Sequence, residues 1–161
     1  MKQLDRFLGD VVMRQIGATN NIQLEHNLLY YSQKYQVIMI AKSGFISDLG
    51  SIPMWIRSFV GADNIIYSRA FIMHDLLYRN GFDRKVADLL LDEMLQLMGL
   101  RMIARNKIYY GLRMFGSYGS NEEVIANAKQ YTTIIDYRHF KKKVNIKEEV
   151  ELIRTSTLND I

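Results

Sequence analysis

The chain has no cysteine, one proline and one tryptophan among its 161 residues. Without cysteine, disulfides and thiolate metal sites are excluded, so a metal would need His, Asp, Glu or backbone oxygen as ligands. The same lack fits synthesis in a reducing cytoplasm. No apolar run is long enough for a helix to cross a bilayer. The opening Met1-Lys2-Gln3-Leu4-Asp5-Arg6 lacks the apolar stretch of a secretory signal. No internal repeat or low-complexity segment is visible. The formal net charge is only +4, and the basic surplus is spread through residues 1–120. That is too thin to signal nucleic-acid binding, which takes a denser basic cluster. Lys141-Lys142-Lys143 is too short to change this.

What remains is ordinary for a globular protein: 48% hydrophobic and 24% charged residues, at a length that can bury a core. The pattern predicts an α+β fold: an N-terminal antiparallel β-meander, a helical hairpin subdomain and a C-terminal extension. Residues 10–46 read as strands. Ile22, Leu24 and His26 alternate with polar neighbours, Leu28 to Tyr31 continues that strand, Ser32-Gln33-Lys34 turns, and Val37 to Ala41 is a short β-branched run. Two glycines and Pro53 between residues 42 and 53 predict an ordered loop, then a short helix with Met54, Trp55, Ile56 and Phe59. Ser51 is a suitable cap for that helix.

From Asp63 the apolar period becomes helical. Asp63 caps Ile65, Ile66, Ala70, Met73 and Leu77, and Asn80-Gly81 stops the helix. Asp83 caps a second helix with Val86, Ala87, Leu90, Met94, Leu97 and Met98 on its buried side. A third runs from about Arg101 to Phe115 until Gly116-Ser117-Tyr118-Gly119-Ser120, and a short one covers Asn121 to Lys129. Tyr131 to Ile135 is strand-like, and Ile146 to Ile153 suits an amphipathic helix. Residues 1–120 thus form one α+β domain. Residues 121–161 have too few apolar residues for a core of their own and are expected to pack on the body or on a partner.

Folding the first two helices back on each other about Gly81 sets His74 opposite Asp88. An imidazole oriented by a carboxylate is the arrangement of a general base. Tyr78, one turn beyond His74, can join its hydrogen-bond network. Asp75 points about 100° away around the helix, where Asp48 of the Gly/Pro-rich loop could meet it to hold a divalent cation. The bland alternative is a buried polar clamp pinning two helices together. Asp48 could equally serve as a local cap. Arg84 and Asp88 have the spacing of a helix-surface pair, and Asp92 reads as solvated. Arg101, Arg105, Lys107 and Arg113, with Tyr109 and Tyr110, could contact phosphates, but such charges more often form the wet face of an amphipathic helix.

These residues carry a resemblance. Gly44-Phe45-Ile46-Ser47-Asp48-Leu49-Gly50-Ser51-Ile52-Pro53, His74-Asp75-Leu76-Leu77-Tyr78 and Arg84-Lys85-Val86-Ala87-Asp88 resemble the three ordered motifs of domain-of-unknown-function family 1353. That family is found mainly in tailed bacteriophages and prophages. Ser47 stands where the family has Thr, and Gly50 where it has Ala. The resemblance spans about residues 22–117 and implies a phage origin with no established activity. His74, Asp75, Tyr78 and Asp88 are also similar to the His-Asp-x-x-Tyr and facing Asp of secreted calcium-dependent phospholipases, although the disulfides and glycine-rich calcium loop are missing here. His26, His74, Asp75 and Asp88 partly resemble the His…His-Asp…Asp pattern of metal-dependent phosphohydrolases. Two functions are therefore expected as alternatives. One is a phage accessory or virion-associated protein of the tail, neck or lysis cassette. It would reside in the host cytoplasm during synthesis or in the virion, and dock on a phage structural or host protein through its C-terminal extension. The other is a metal-assisted hydrolase with His74 as base, Asp88 and Tyr78 in its network, and Asp48 and Asp75 on a divalent cation.

Overall fold

The computed structural model describes residues 7–17, 21–48, 66–115 and 122–157. The short helix around Trp55, the Ser51 and Asp63 caps and the glycine-rich break after Phe115 lie outside the described residues. The fold is α+β, with antiparallel strands first and five helices among the described residues. The strands are β1 (Phe7–Leu8), β2 (Met13–Gln15), β3 (Ile22–Leu24), β4 (Leu28–Ser32), β5 (Val37–Ala41), β6 (Ile46–Ser47) and β7 (Thr132–Asp136). The helices are α1 (Ser68–Arg79), α2 (Arg84–Leu97), α3 (Met102–Phe115), α4 (Glu122–Tyr131) and α5 (Ile146–Thr157).

The expected single meander is in fact two sheets, ordered β1-β4-β5-β7 and β2-β3-β6. The strand read as continuous from Ile22 to Tyr31 bends at Glu25-His26, which redirects the chain from one sheet to the other. The Asn27 side chain accepts a hydrogen bond from the Ser43 backbone N–H at 2.8 Å and fixes that bend. His26 is consequently exposed and not on a strand.

All ten residues of β4 and β5 are buried. Successive side chains point to opposite faces of a sheet, so these strands serve two cores. Leu28, Tyr30, Val37 and Met39 join α1 and α2 in the larger one. Leu29, Tyr31, Ile38 and Ile40 join Ile146 and Val150 of α5 in the smaller. This explains why Val37–Ala41 is a continuous apolar run rather than an alternating one. The C-terminal segment packs on the body. β7 pairs antiparallel with β5 from Val37↔Asp136 to Ala41↔Thr132. Gln33 and Gln36, in the β4–β5 turn, accept from the backbone N–H groups of Ile146 and Val144 at 2.9 and 2.7 Å.

The hairpin that positions the site is built by local signals. Asp83 caps α2 by accepting from the Val86 N–H at 2.8 Å. Gly81 has φ +66°, and the Phe82 N–H donates to the Leu77 carbonyl at 3.0 Å, closing α1 with the bond pattern that favours glycine at this position. α1 begins later than its period suggested, at Ser68, and Ile66 is exposed in a turn instead of lying on the buried stripe.

Gly44 also requires glycine. Its φ is +98°, and a Cβ there would sit 2.5 Å from the Tyr131 ring. Gly44→Ala is expected to lower stability by about 2–3 kcal/mol through backbone strain and overlap together. Urea unfolding checks this, and an unchanged midpoint would show that the ring can move aside.

Candidate functional site

α1 projects His74, Asp75, Tyr78 and Arg79 from consecutive turns, and α2 returns Asp88 to face them. The expected His–Asp pair is present in the geometry: His74 Nε2 lies 3.0 Å from Asp88 Oδ1. The His74 side chain is 7% exposed and that of Asp88 is fully buried. The Tyr78 hydroxyl donates to the same Oδ1 at 2.5 Å, and the Tyr78 and His74 rings pack with centroids 4.1 Å apart. Arg113 of α3 approaches Oδ2 at 3.3 Å. Arg84 donates to the Tyr78 hydroxyl at 3.4 Å and to the Leu112 carbonyl.

Burial alone would raise the Asp88 pKa, but the hydrogen bonds from His74, Tyr78 and Arg113 outweigh it. The carboxyl is held below its ordinary range. Tyr78 shifts the other way. Burial and its bond to the Asp88 carboxylate push the phenol pKa up, keeping it a proton donor.

Asp48 and Asp75 belong to a separate network on another side of α1. Arg79, buried at the end of the helix, donates to the Ile46 carbonyl and to Asp48 Oδ1, the latter at 2.5 Å. Its guanidinium is also 3.8 Å from Asp75 Oδ2. Ser47 of β6 donates to that Asp75 oxygen at 2.5 Å. Arg79 further lies over the Phe45 ring at 5.8 Å. Asp48 and Asp75 are thus both paired with one guanidinium, and the Ser47 hydroxyl is bound to Asp75. Among the described residues, no group of three or more His, Asp or Glu side chains is placed to hold one. The five residues singled out by sequence therefore divide into His74–Tyr78–Asp88 and Asp48–Asp75, with Arg79 organising the second set.

Asp75 is shifted in the opposite direction from Asp88. Burial raises its pKa to about 6, with Asp48 adding to the rise, while Arg79, Ser47 and His74 oppose it. A folded-state pKa above the ordinary value means that the folded state binds the proton more tightly. The resulting stabilisation is complete below about pH 4 and fades as pH rises through about 6. Asp75 is expected to favour folding by about 1 kcal/mol more at pH 5 than at pH 7. Comparing the pH dependence of urea unfolding with that of Asp75→Asn checks this, because the variant should lose that difference.

Three arginines had a different fate from the sequence reading. Arg79 was not singled out; its only signal is the i, i+4 spacing from Asp75. Arg113 and Arg105, expected on a wet face, instead reach back to α2. Arg105 pairs with Asp92 at 2.8 Å, so Asp92 is not merely solvated. An open groove of about 500 Å³ lies elsewhere, lined by Arg14, Gln23, Glu25, Ser43, Gly44 and Tyr131 among others. None of the five candidate residues lines it.

No curated protein and no solved structure matches the chain. One family model does, described as protein of unknown function (DUF1353), over residues 22–112. That stretch runs from β3 into α3 and contains Asp48, His74, Asp75, Tyr78 and Asp88, whereas β7 and α5 lie beyond it. Since it covers more than half of the 161 residues and holds all five candidate residues, the chain belongs to the DUF1353 family of proteins of unknown function.

Proposed function

We propose that this is a phage-encoded accessory or virion-associated protein of the tail, neck or lysis cassette, in which the His/Asp cluster is a clamp that stiffens the helical hairpin. The observation that carries this reading is that each carboxylate is already paired with a side chain of the protein itself. Asp88 receives His74, Tyr78 and Arg113, and Asp48 and Asp75 receive Arg79. Fully satisfied buried networks rigidify a fold. The phage context rests on the motif resemblance, and partner docking is argued by analogy with other phage accessory proteins. The test is co-sedimentation of the chain with virions or lysis particles of the phage that encodes it, alongside thermal melting of His74→Gln. The protein should travel with the particles, and the variant should lose about 1–3 kcal/mol of stability. Absence from all particles would overturn the reading.

A second reading, a hydrolase, draws support from one feature. With Nε2 committed to an ionised Asp88, the lone pair of a neutral His74 resides on Nδ1, the tautomer of an oriented general base. Turnover of chromogenic carboxylic and phosphodiester substrates that falls at least about 100-fold in His74→Gln would support it. Lack of turnover by the unaltered protein would remove it.

A further inference from the structure

We infer that the open groove bounded by β2, β3, the turn before β6 and the end of α4 binds a neutral saccharide. It holds about 500 Å³, within the ~300–1,000 Å³ range of ligand sites. Arg14 comes from β2, Gln23 from β3, Glu25 from the bend that follows, Ser43 and Gly44 from the turn, and Tyr131 from the last residue of α4. Arg14 and Tyr131 lie on either side of the stretch that matches the family model, so that stretch alone does not supply the lining. The polar groups hold one another in place. The Gln23 amide accepts from Arg14 Nη2 at 2.8 Å and donates to the Gly44 carbonyl at 3.4 Å. The same carbonyl accepts from Asn127 Nδ2 at 3.1 Å, and the Tyr131 ring lies against Gly44, where a Cβ would overlap it. A wall organised before its ligand arrives lowers the entropic cost of binding.

Much of the hydrogen-bonding capacity of this wall remains unused. A guanidinium has several N–H donors, and Arg14 makes one hydrogen bond within the chain, to Gln23. Its Nε lies 3.6 Å from Glu25 Oε1, an ion pair whose side chains are 66% and 47% exposed. Exposed pairs of this kind hold weakly enough for a ligand to enter between them. Among the described residues, the Ser43 and Tyr131 hydroxyls have no hydrogen-bond partner. The chemistry of the lining selects the occupant. Arg14 and Glu25 are the two charged side chains that line the groove, and their charges offset, so neither an anion nor a cation is favoured. Leu24, the aliphatic lining residue, is buried and gives an acyl chain no floor. Adjacent donors and acceptors beside one aromatic ring suit a sugar. A hydroxyl both donates and accepts, so one accepts from Arg14, another donates to Glu25, and others do either with Ser43 and Tyr131. Tyrosine joins an apolar ring to a polar tip, which matches the C–H face and hydroxyl rim of a pyranose. A zwitterionic amino acid satisfies Arg14 and Glu25 but leaves both lining hydroxyls without a partner. Saccharide binding here is independent of either reading of the His74–Asp88 cluster.

The experiment is NMR titration of the full chain with maltotriose, cellotriose, mannotriose and triacetylchitotriose, with inorganic phosphate and glycylglycine as charged controls. At least one trisaccharide should bind with a Kd of ~1 mM or tighter, equally well at low and high salt because a neutral ligand is not screened. Arg14→Met and Glu25→Gln should each weaken that binding about tenfold. Both side chains are exposed, so melting temperatures should stay unchanged, and Glu25→Gln remains a test if loss of the Arg14–Gln23 bond disturbs β2. Absence of binding by every trisaccharide, or unchanged binding in both variants, would overturn the inference. Tighter binding of phosphate or glycylglycine, weakened by the same substitutions and by salt, would also overturn it and reassign the groove to a charged ligand.

Discussion

Asp88→Ala is expected to lower stability by about 3–5 kcal/mol, the cost of removing one partner from a buried charged network. Asp88 is where α1, α2 and α3 meet electrostatically: His74 and Tyr78 come from the first, the carboxylate from the second and Arg113 from the third. Without it, the buried imidazole and phenol lose their acceptor, and the vacated volume adds a cavity term. For a chain of this size the melting temperature should fall by roughly 10 °C. Asp88→Asn should cost less, because an amide oxygen still accepts from Tyr78. The sign of the pH effect follows from the depressed carboxyl pKa. The Asp88 contribution is present above the ordinary carboxylate value and is lost as acid protonates it below that value. Thermal and urea unfolding at neutral pH measure the loss. A drop below about 1 kcal/mol would mean that the network is not a clamp.

The second large effect concerns Arg79→Met. The methionine keeps an apolar side chain at this buried position but removes the guanidinium that Asp48 and Asp75 share and that lies over Phe45. A loss of about 3 kcal/mol is expected at pH 7. It should be smaller at pH 5, because Asp75 then takes up a proton and the repulsion between the carboxylates weakens. Unfolding at the two pH values separates charge from packing. An equal loss at both would assign the role of Arg79 to its contacts with Asp48, the Ile46 carbonyl and Phe45 rather than to Asp75.

The His74–Asp88 pair could be read in advance because every step to it is local. A helical period carries His74, Asn80-Gly81 stops the helix, and Asp83 restarts the chain in the opposite direction. Arg113 could not be added by such reasoning, because it comes from a third helix whose packing direction depends on side chains far away in sequence. Arg79 and Arg105 show the same difficulty. A charged residue that reaches inward to an acid has the same spacing as one that reaches out to water. The division of the strands into two sheets was hidden for another reason. Glu25 and His26 contain neither glycine nor proline, and the bend is held by Asn27 reaching Ser43, a contact made only after folding. For Asp48 and Asp75, sequence brought the acids near each other but could not show the guanidinium between them.

The position of β7 has a consequence for synthesis. β5 gains β4 as its neighbour within a few residues, but its other edge must wait: Ala41 for Thr132 and Val37 for Asp136. At ordinary elongation rates the ribosome takes about 5–20 s to deliver that strand. Through this interval the nascent chain carries an adhesive β edge, the kind that recruits other chains. Closure of the sheet therefore waits for residues 132–136, and products of premature termination before residue 132 leave the ribosome with that edge still uncovered.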